Sequence, residues 1–249
     1  MNPSHRQGGY RVRFDWGLTG AVAIADGAEV AVVVDVLSFT TTVSVALDRG
    51  TAVLPYRWGD RGAESYARQH DAALAVGRSQ AATGGLSLSP LTVRTHPTPP
   101  SRLVLPSPNG SSIAHYLATA GSDCLAGCLR NAVAVASWLD AADSATVAFI
   151  AAGERWPDGG LRPAVEDAWG AGAVIGELVR LGWTGLSPEA EFAVAAYEGV
   201  RGQELRALQR CASGLELVNR GYRGDVEIAA ELDQSSSVPR LSDGQFITA

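Results

Sequence analysis

The chain contains no lysine: all 20 basic residues are arginine. That excludes a P-loop lysine, a Schiff-base lysine and a pyridoxal-phosphate anchor. Histidine is scarce. The four present (His5, His70, His96, His115) never stand at the HxH or HxxxH spacing of a zinc site. Of three cysteines only Cys124 and Cys128 are close, with no second pair to complete a ligand set. Cys124, Cys128 and Cys211 read as small buried hydrophobes of a reducing compartment. No apolar run approaches the roughly 20 residues that cross a bilayer. The N-terminal MNPSHRQGGYRVRFDWG lacks the apolar core of a signal peptide. No membrane attachment is expected, and a cytoplasmic location follows. Cationic charge is also in deficit. Against 26 acidic residues the formal net charge is −6, with no basic stripe. A nucleic-acid partner is therefore not expected. A small molecule or a second copy of the chain is.

What is present is an ordinary globular balance, 46% hydrophobic and 18% charged over 249 residues. The length suits a single α/β domain over 1–249, or two intertwined halves joined through 79–101. Apolar runs and turn signals predict strands at 10–15, 30–36, 51–56, 72–77, 102–106, 123–127 and 146–152. Helical patterns fall at 39–49, 60–70, 109–120, 131–142, 164–182, 187–198 and 202–213. This alternation predicts a three-layer α/β/α fold around a largely parallel or mixed sheet. The small residues Gly170, Ala171, Gly172 and Ala173 predict close packing of their helix against the sheet or a partner chain. Segments 1–9, 79–101 and 233–244 read as the least ordered. The second is either a loop over an active site or a linker between halves.

Chemistry concentrates at three strand-to-helix junctions. The run AVVVDVLSFTTTVSVAL (31–47) is a buried strand ending in Asp35, followed by Ser38, Thr40, Thr41 and Thr42 at a helix start. The carboxyl ends of parallel strands are where open α/β folds place ligands. A helix N-terminus there attracts anions. Asp35 suits a hard cation and the hydroxyls a phosphate, unless they are simply a strand-end carboxylate and a helix cap. LPSPNGSSIAHYL (105–117) repeats the pattern, with Asn109, Gly110 and Ser111 as a turn or an anion nest. Asn109 and Gly110 tolerate positive φ there. In AAGERWPDGGLRPAVEDAWGAG (151–172), Glu154, Arg155, Asp158 and Arg162 precede Glu166 and Asp167 in a first helical turn. The helix dipole alone favours such acids. Together with Asp35 they also suit Mg²⁺, which takes one or two carboxylates plus water and phosphate. Arg155 and Arg162 can fork onto phosphate or another planar anion.

In order along the chain, VVVDVLSFTTT, PNGSS, LRNA (129–132), GERW with VEDAWGAG, and GYRGDVEIAAELDQSSSVP resemble the 2-phosphosulfolactate phosphatase family. The resemblance covers most of the chain. It implies a dimeric three-layer α/β protein, a Mg²⁺-dependent acid phosphatase of coenzyme M biosynthesis. It places Asp35, Glu166 and Asp167 near the metal as catalytic groups. It turns Thr40, Thr41, Thr42, Asn109, Gly110 and Ser111 toward the phosphate. The expected function is hydrolysis of a small phosphorylated acid by direct attack of water. The alternative is a diverged, non-hydrolytic anion-binding or interaction protein on the same scaffold. Departures from the family pattern bear on that choice. Ser38 stands where the family carries arginine, and Gly77-Arg78 replaces Gly-Glu. Ser87-Leu88-Ser89-Pro90 replaces Gly-Asn-Ser-Pro, and Ser107-Pro108 replaces Thr-Thr. Either a basic group has moved between loops or the substrate differs.

Overall fold

A computed structural model describes residues 2–57, 62–81 and 84–249. Each strand expected from the sequence forms: β1 (Val12–Trp16), β2 (Val30–Val34), β3 (Ala52–Arg57), β4 (Ala73–Leu74), β5 (Arg102–Ser107), β6 (Asp123–Gly127) and β7 (Val147–Ala151). Four further strands are short: β8 (Glu154–Arg155), β9 (Leu161–Arg162), β10 (Pro239–Ser242) and β11 (Gln245–Thr248). The helices are α1 (Gly17–Ile24), α2 (Phe39–Asp48), α3 (Ala63–Gln69), α4 (Pro90–Thr95), α5 (Gly110–Ala120), α6 (Ala132–Ala141), α7 (Val165–Arg180), α8 (Pro188–Glu198), α9 (Glu204–Arg210), α10 (Ala212–Asn219) and α11 (Arg223–Ala229). Residues 60 and 61 of the helix expected at 60–70 lie outside the described residues.

The sheet order is β1-β7-β2-β6-β10-β11-β3-β5-β4, and β8 pairs with β9 separately. Strand pleating sends alternate side chains to opposite faces. On β2, Val30, Val32 and Val34 join one core with Phe149, Val174 and Leu178. Ala31 and Val33 join the other with Phe39, Ile113 and Phe246. Both faces are covered by helices, so the layers are α/β/α and the fold is α/β. The continuous valines of β2 follow from this double burial.

The sheet is mixed, with a specific break. Strands β1, β7, β2 and β6 run parallel, as do β3, β5 and β4. Between them the β10–β11 hairpin pairs antiparallel on both flanks. Three antiparallel steps turn the second group against the first. The tail 233–244, expected to be loosely ordered, therefore supplies β10 at the centre of the sheet. Its Asp243-Gly244 turn has φ of 49° and 78°, the left-handed pair of a type I′ hairpin. Segment 79–101 is also more regular than expected: Ser89 caps α4, accepting from the Thr92 N–H. The helix expected at 202–213 breaks at Cys211, whose ψ of 161° is extended. Its sulfur accepts the Gly214 N–H and starts α10. All three cysteines are free and buried, as expected.

The glycines of α7 allow contact on two sides. A Cβ on Gly170 would lie 2.6 Å from Val36 on the sheet side, and one on Gly172 would lie 2.0 Å from the Ala193 carbonyl of α8. Gly176 meets nothing within 4 Å. Gly172→Ala should therefore destabilise by about 3 kcal/mol or more through overpacking. Gly176→Ala should stabilise by up to about 1 kcal/mol through helix propensity. Thermal melts of the two variants are expected to shift in opposite directions; a shared sign would refute this account of the α7–α8 contact.

Candidate active site

The end of β2 is built around Asp35, only 6% exposed. Oδ1 accepts the Phe39 N–H at 3.1 Å, from the start of α2. Oδ2 accepts the Gly110 N–H at 3.0 Å, from the start of α5. A flat sheet would hold the carboxyl ends of β2 and β5, five strands apart and pointing to opposite edges, more than about 24 Å from each other. Residues 108 and 109 cannot span that, so the sheet coils to bring the junctions together. Gly110 is needed for the approach itself: a Cβ would sit 2.5 Å from the Phe39 ring and 2.7 Å from Asp35 Oδ2. Its φ is not positive, and Asn109 has φ −117°. Close contact, not turn conformation, calls for the glycine.

The threonines are placed inward. Thr40, Thr41, Thr42 and Ser111 are fully buried. The Thr40, Thr41 and Thr42 hydroxyls donate to the carbonyls of Asp35, Val36 and Ser38. Ser111 Oγ accepts the Ser107 N–H and lies 2.6 Å from the carbonyls of Tyr56 and Ser107. These side chains close the two turns. The anion at the paired helix N-termini is Asp35 itself.

Asp167 forms a second staple. Its oxygens accept the N–H groups of Val36 at 2.7 Å and Gly153 at 2.9 Å, joining α7 to the ends of β2 and β7. Beside it Glu166 is 2% exposed. Among the described residues Glu166 Oε2 has no hydrogen-bond partner. The β8–β9 hairpin then sets Glu154 opposite Arg162. Asn109 Nδ2 donates to Glu154 Oε2 at 3.1 Å, and Arg162 Nη2 donates to Ser213 Oγ at 3.0 Å. Among the described residues exposed Arg155 reaches only the Gly159 and Pro108 carbonyls, at 3.4 and 3.5 Å.

Two cavities meet at Glu154. One of about 670 Å³ is lined by Leu37, Arg78, Leu88, Ser213 and Tyr222 as well as Glu154. One of about 260 Å³ carries Asn109, Ser112 and Arg155. Arg78 and Leu88 thus face the larger cavity. Glu154 stands on its wall as a half-buried carboxyl group. The sequence offered it only as one of several charges in a loop; the cue was its place directly after a buried strand.

Four carboxylates crowd this edge, and burial is the largest influence on Asp35, Glu154 and Asp167. It pushes Asp35 up to about 6, helped by Glu166; N–H bonds and Arg78 oppose it. Burial, then the Asp35 charge, pushes Glu154 up to about 7. Asp167 is raised well above the usual carboxylate range by burial, Asp35 and Glu166. Burial and neighbouring Glu166 likewise raise the Cys211 thiol, which removes it as a nucleophile.

The sequence grouped Asp35, Glu166 and Asp167 as ligands of one ion. The structure brings them to one edge, yet among the described residues no three Asp, Glu, His or Cys side chains form a ready metal-ligand set. Both oxygens of Asp35 and of Asp167 are engaged by N–H groups. The donor set, all hard oxygen with the orphaned Glu166 Oε2, fits a cation that needs one or two carboxylates and keeps its waters. It does not fit an all-protein cage.

These shifts set a stability window. Asp35 and Glu154 hold protons to higher pH in the fold than in the unfolded chain, where such groups titrate near ~4. Between about 4 and 7 the fold binds more protons, so stability falls as pH rises through that range. Glu154→Gln removes its share. In metal-free buffer its melting temperature should exceed wild type at pH 8 and match it at pH 4. Parallel pH curves for the two proteins would exclude burial of Glu154 as the cause.

Comparisons with known proteins place the chain in a family. The family model for 2-phosphosulpholactate phosphatase matches residues 21–244. A probable 2-phosphosulfolactate phosphatase of Deinococcus radiodurans is 31% identical over 234 residues, 89% of this chain and 91% of the relative. The 2-phosphosulfolactate phosphatase of Methanothermobacter thermautotrophicus is 28% identical over 89% of this chain and 90% of its own. A probable one from Thermotoga maritima is 26% identical over 87% and 91%. With a match across nearly its whole length, the chain belongs to the 2-phosphosulfolactate phosphatase family of phosphoric monoester hydrolases.

Proposed function

We propose that the protein hydrolyses a small phosphomonoester bearing a second acidic group, with 2-phosphosulfolactate the first substrate to test, and that it uses Mg²⁺. The observation that carries the reading is the carboxylate cluster of Asp35, Glu154, Glu166 and Asp167 at the converging helix N-termini, in a chain of this family. Asp35 and Glu166, backed by Asp167, would hold the cation. When bound, Mg²⁺ neutralises phosphate charge and lowers the cost of water attack at phosphorus. Asn109 and Arg155, at the smaller cavity, are suited to phosphate oxygens. Glu154 lies between the cavities with a pKa near neutrality, which suits delivery of a proton to the departing alkoxide oxygen. Asp35 is a poor nucleophile, since attack would strip it of two N–H bonds. No helix among the described residues is long and apolar enough to cross a membrane. A homodimer and a cytoplasmic location belong to the same proposal.

Two substitutions separate metal binding from folding. Asp35→Asn loses a charge but also places an amide N–H₂ against an N–H donor, so activity and stability should both fall. Glu166→Gln removes a charge from an oxygen without a partner. It should melt at or above wild type while kcat drops by about 10²-fold or more. Mg²⁺ should raise the wild-type melting temperature at pH 8 more than at pH 5, and Glu166→Gln should blunt that rise. Turnover indifferent to chelator and to Glu166→Gln would sink the metal-assisted reading. A wild type inactive on phosphosulfolactate and simple phosphomonoesters would favour the non-hydrolytic one.

A further inference from the structure

Ser38 and Arg78, 40 residues apart in the chain, are in contact. Arg78 Nη2 donates to Ser38 Oγ at 2.6 Å. Its Nε donates to Asp225 Oδ2 at 2.8 Å. Asp225 is fully buried and also receives the Ser89 hydroxyl and the Leu91 N–H. The guanidinium is therefore aimed, not free to sweep. Tyr222 stands 5.6 Å from it. The Arg78 side chain remains 16% exposed, on the wall of the larger cavity that Glu154 also lines. Among the described residues its Nη1 makes no hydrogen bond. The other arginine on that wall, Arg220, is mostly exposed and paired with Glu216 on its own helix turn. Arg78 also reaches the carboxylate cluster electrostatically, opposing the burial of Asp35. A small side chain at 38 leaves the guanidinium room to lie against the β2–α2 turn. Arginine there would put two cations in the same place.

We infer that Arg78 is the specificity-determining residue of the site: its guanidinium receives the second, non-phosphate acidic group of the substrate, a carboxylate or sulfonate, in the larger cavity. A held guanidinium with Nη1 unengaged suits such a group through a charge-assisted hydrogen bond. The inference rests on the substrate reading above but not on hydrolysis, because it concerns the part of the molecule that does not react.

The test is binding of sulfolactate, which lacks the phosphate, beside inorganic phosphate, which lacks the second acid. Arg78→Gln leaves Asp225 buried without a cation. The double variant Arg78→Gln with Asp225→Asn removes both charges and protects the fold. Calorimetry should show sulfolactate binding weakened by about tenfold or more in both variants, as expected for loss of a charge-assisted pair. Phosphate binding should stay unchanged. A double variant that melts like wild type and binds sulfolactate as tightly would overturn the assignment. So would a parallel loss of both ligands, which would make Arg78 part of the phosphate site. If wild type hydrolyses nothing yet sulfolactate binding depends on Arg78, the hydrolytic reading fails and the recognition role stands.

Discussion

The structure depends on one carboxylate accepting two backbone N–H groups. Asp35 joins the first turn of α2 to the first turn of α5. Those turns follow strands that belong to opposed halves of the sheet. Each helix start has unsatisfied N–H donors and a partial positive charge, so a buried anion between two of them is well matched. Charge-assisted bonds of this kind are stronger than neutral ones. The match is nonetheless incomplete, since burial still lifts Asp35 to about 6. Asp167 repeats the device one residue along, tying α7 to β2 and β7. Two staples on consecutive backbone positions fix three helices and two strand ends to one point. Glu166 is carried to that point because it is the neighbour of Asp167.

The constraint reaches into the sequence around it. Gly110 has no side chain because Asp35 and Phe39 occupy the volume a Cβ would need. Gly170 leaves space for Val34 and Val36 beneath α7. The Thr40, Thr41 and Thr42 hydroxyls satisfy carbonyls that a tight strand-to-helix turn leaves exposed. A junction this dense has little flexibility, which suits a site that must hold charges in fixed relation.

Much of the architecture was legible in the sequence, for physical reasons that also mark the limits. Strands β2 and β7 are buried on both faces and read as unbroken apolar runs. Strand β10 is not legible that way: Pro239, Arg240 and the preceding serines look like a tail. Only the Asp243-Gly244 turn betrayed the hairpin that joins the halves of the sheet. Helix α1 escaped because Gly17 and Gly20 argue against a helix, although Gly20 is required by the approach of Asp15. At the site, Asp35, Glu166 and Asp167 are legible as acids at strand ends and a helix start. The direction of the threonines is not, since a hydroxyl at a helix start serves a ligand or its own backbone equally well. The contact of Arg78 with Ser38 joins positions 40 residues apart, and no local pattern encodes it. The departures at 38 and 78 only mark where to look.

The charge balance of the site decides what can enter it. Asp35, Glu154, Glu166 and Asp167 lie together, and the arginines nearest them are partly committed: Arg78 to Asp225, Arg162 to Ser213. Left alone, such a cluster relieves repulsion by retaining protons, which is what the raised pKa values of Asp35, Asp167 and Glu154 express. A phosphate dianion would meet net repulsion there. Two remedies exist: a divalent cation against the deep carboxylates, and a proton kept on Glu154. A cation would offset the charge of the deep carboxylates, and a proton on Glu154 would offset the charge at the cavity wall. The same crowding that costs stability at high pH thus leaves two separate places, the buried carboxylates and the cavity wall, where charge must be neutralised before an anion can enter.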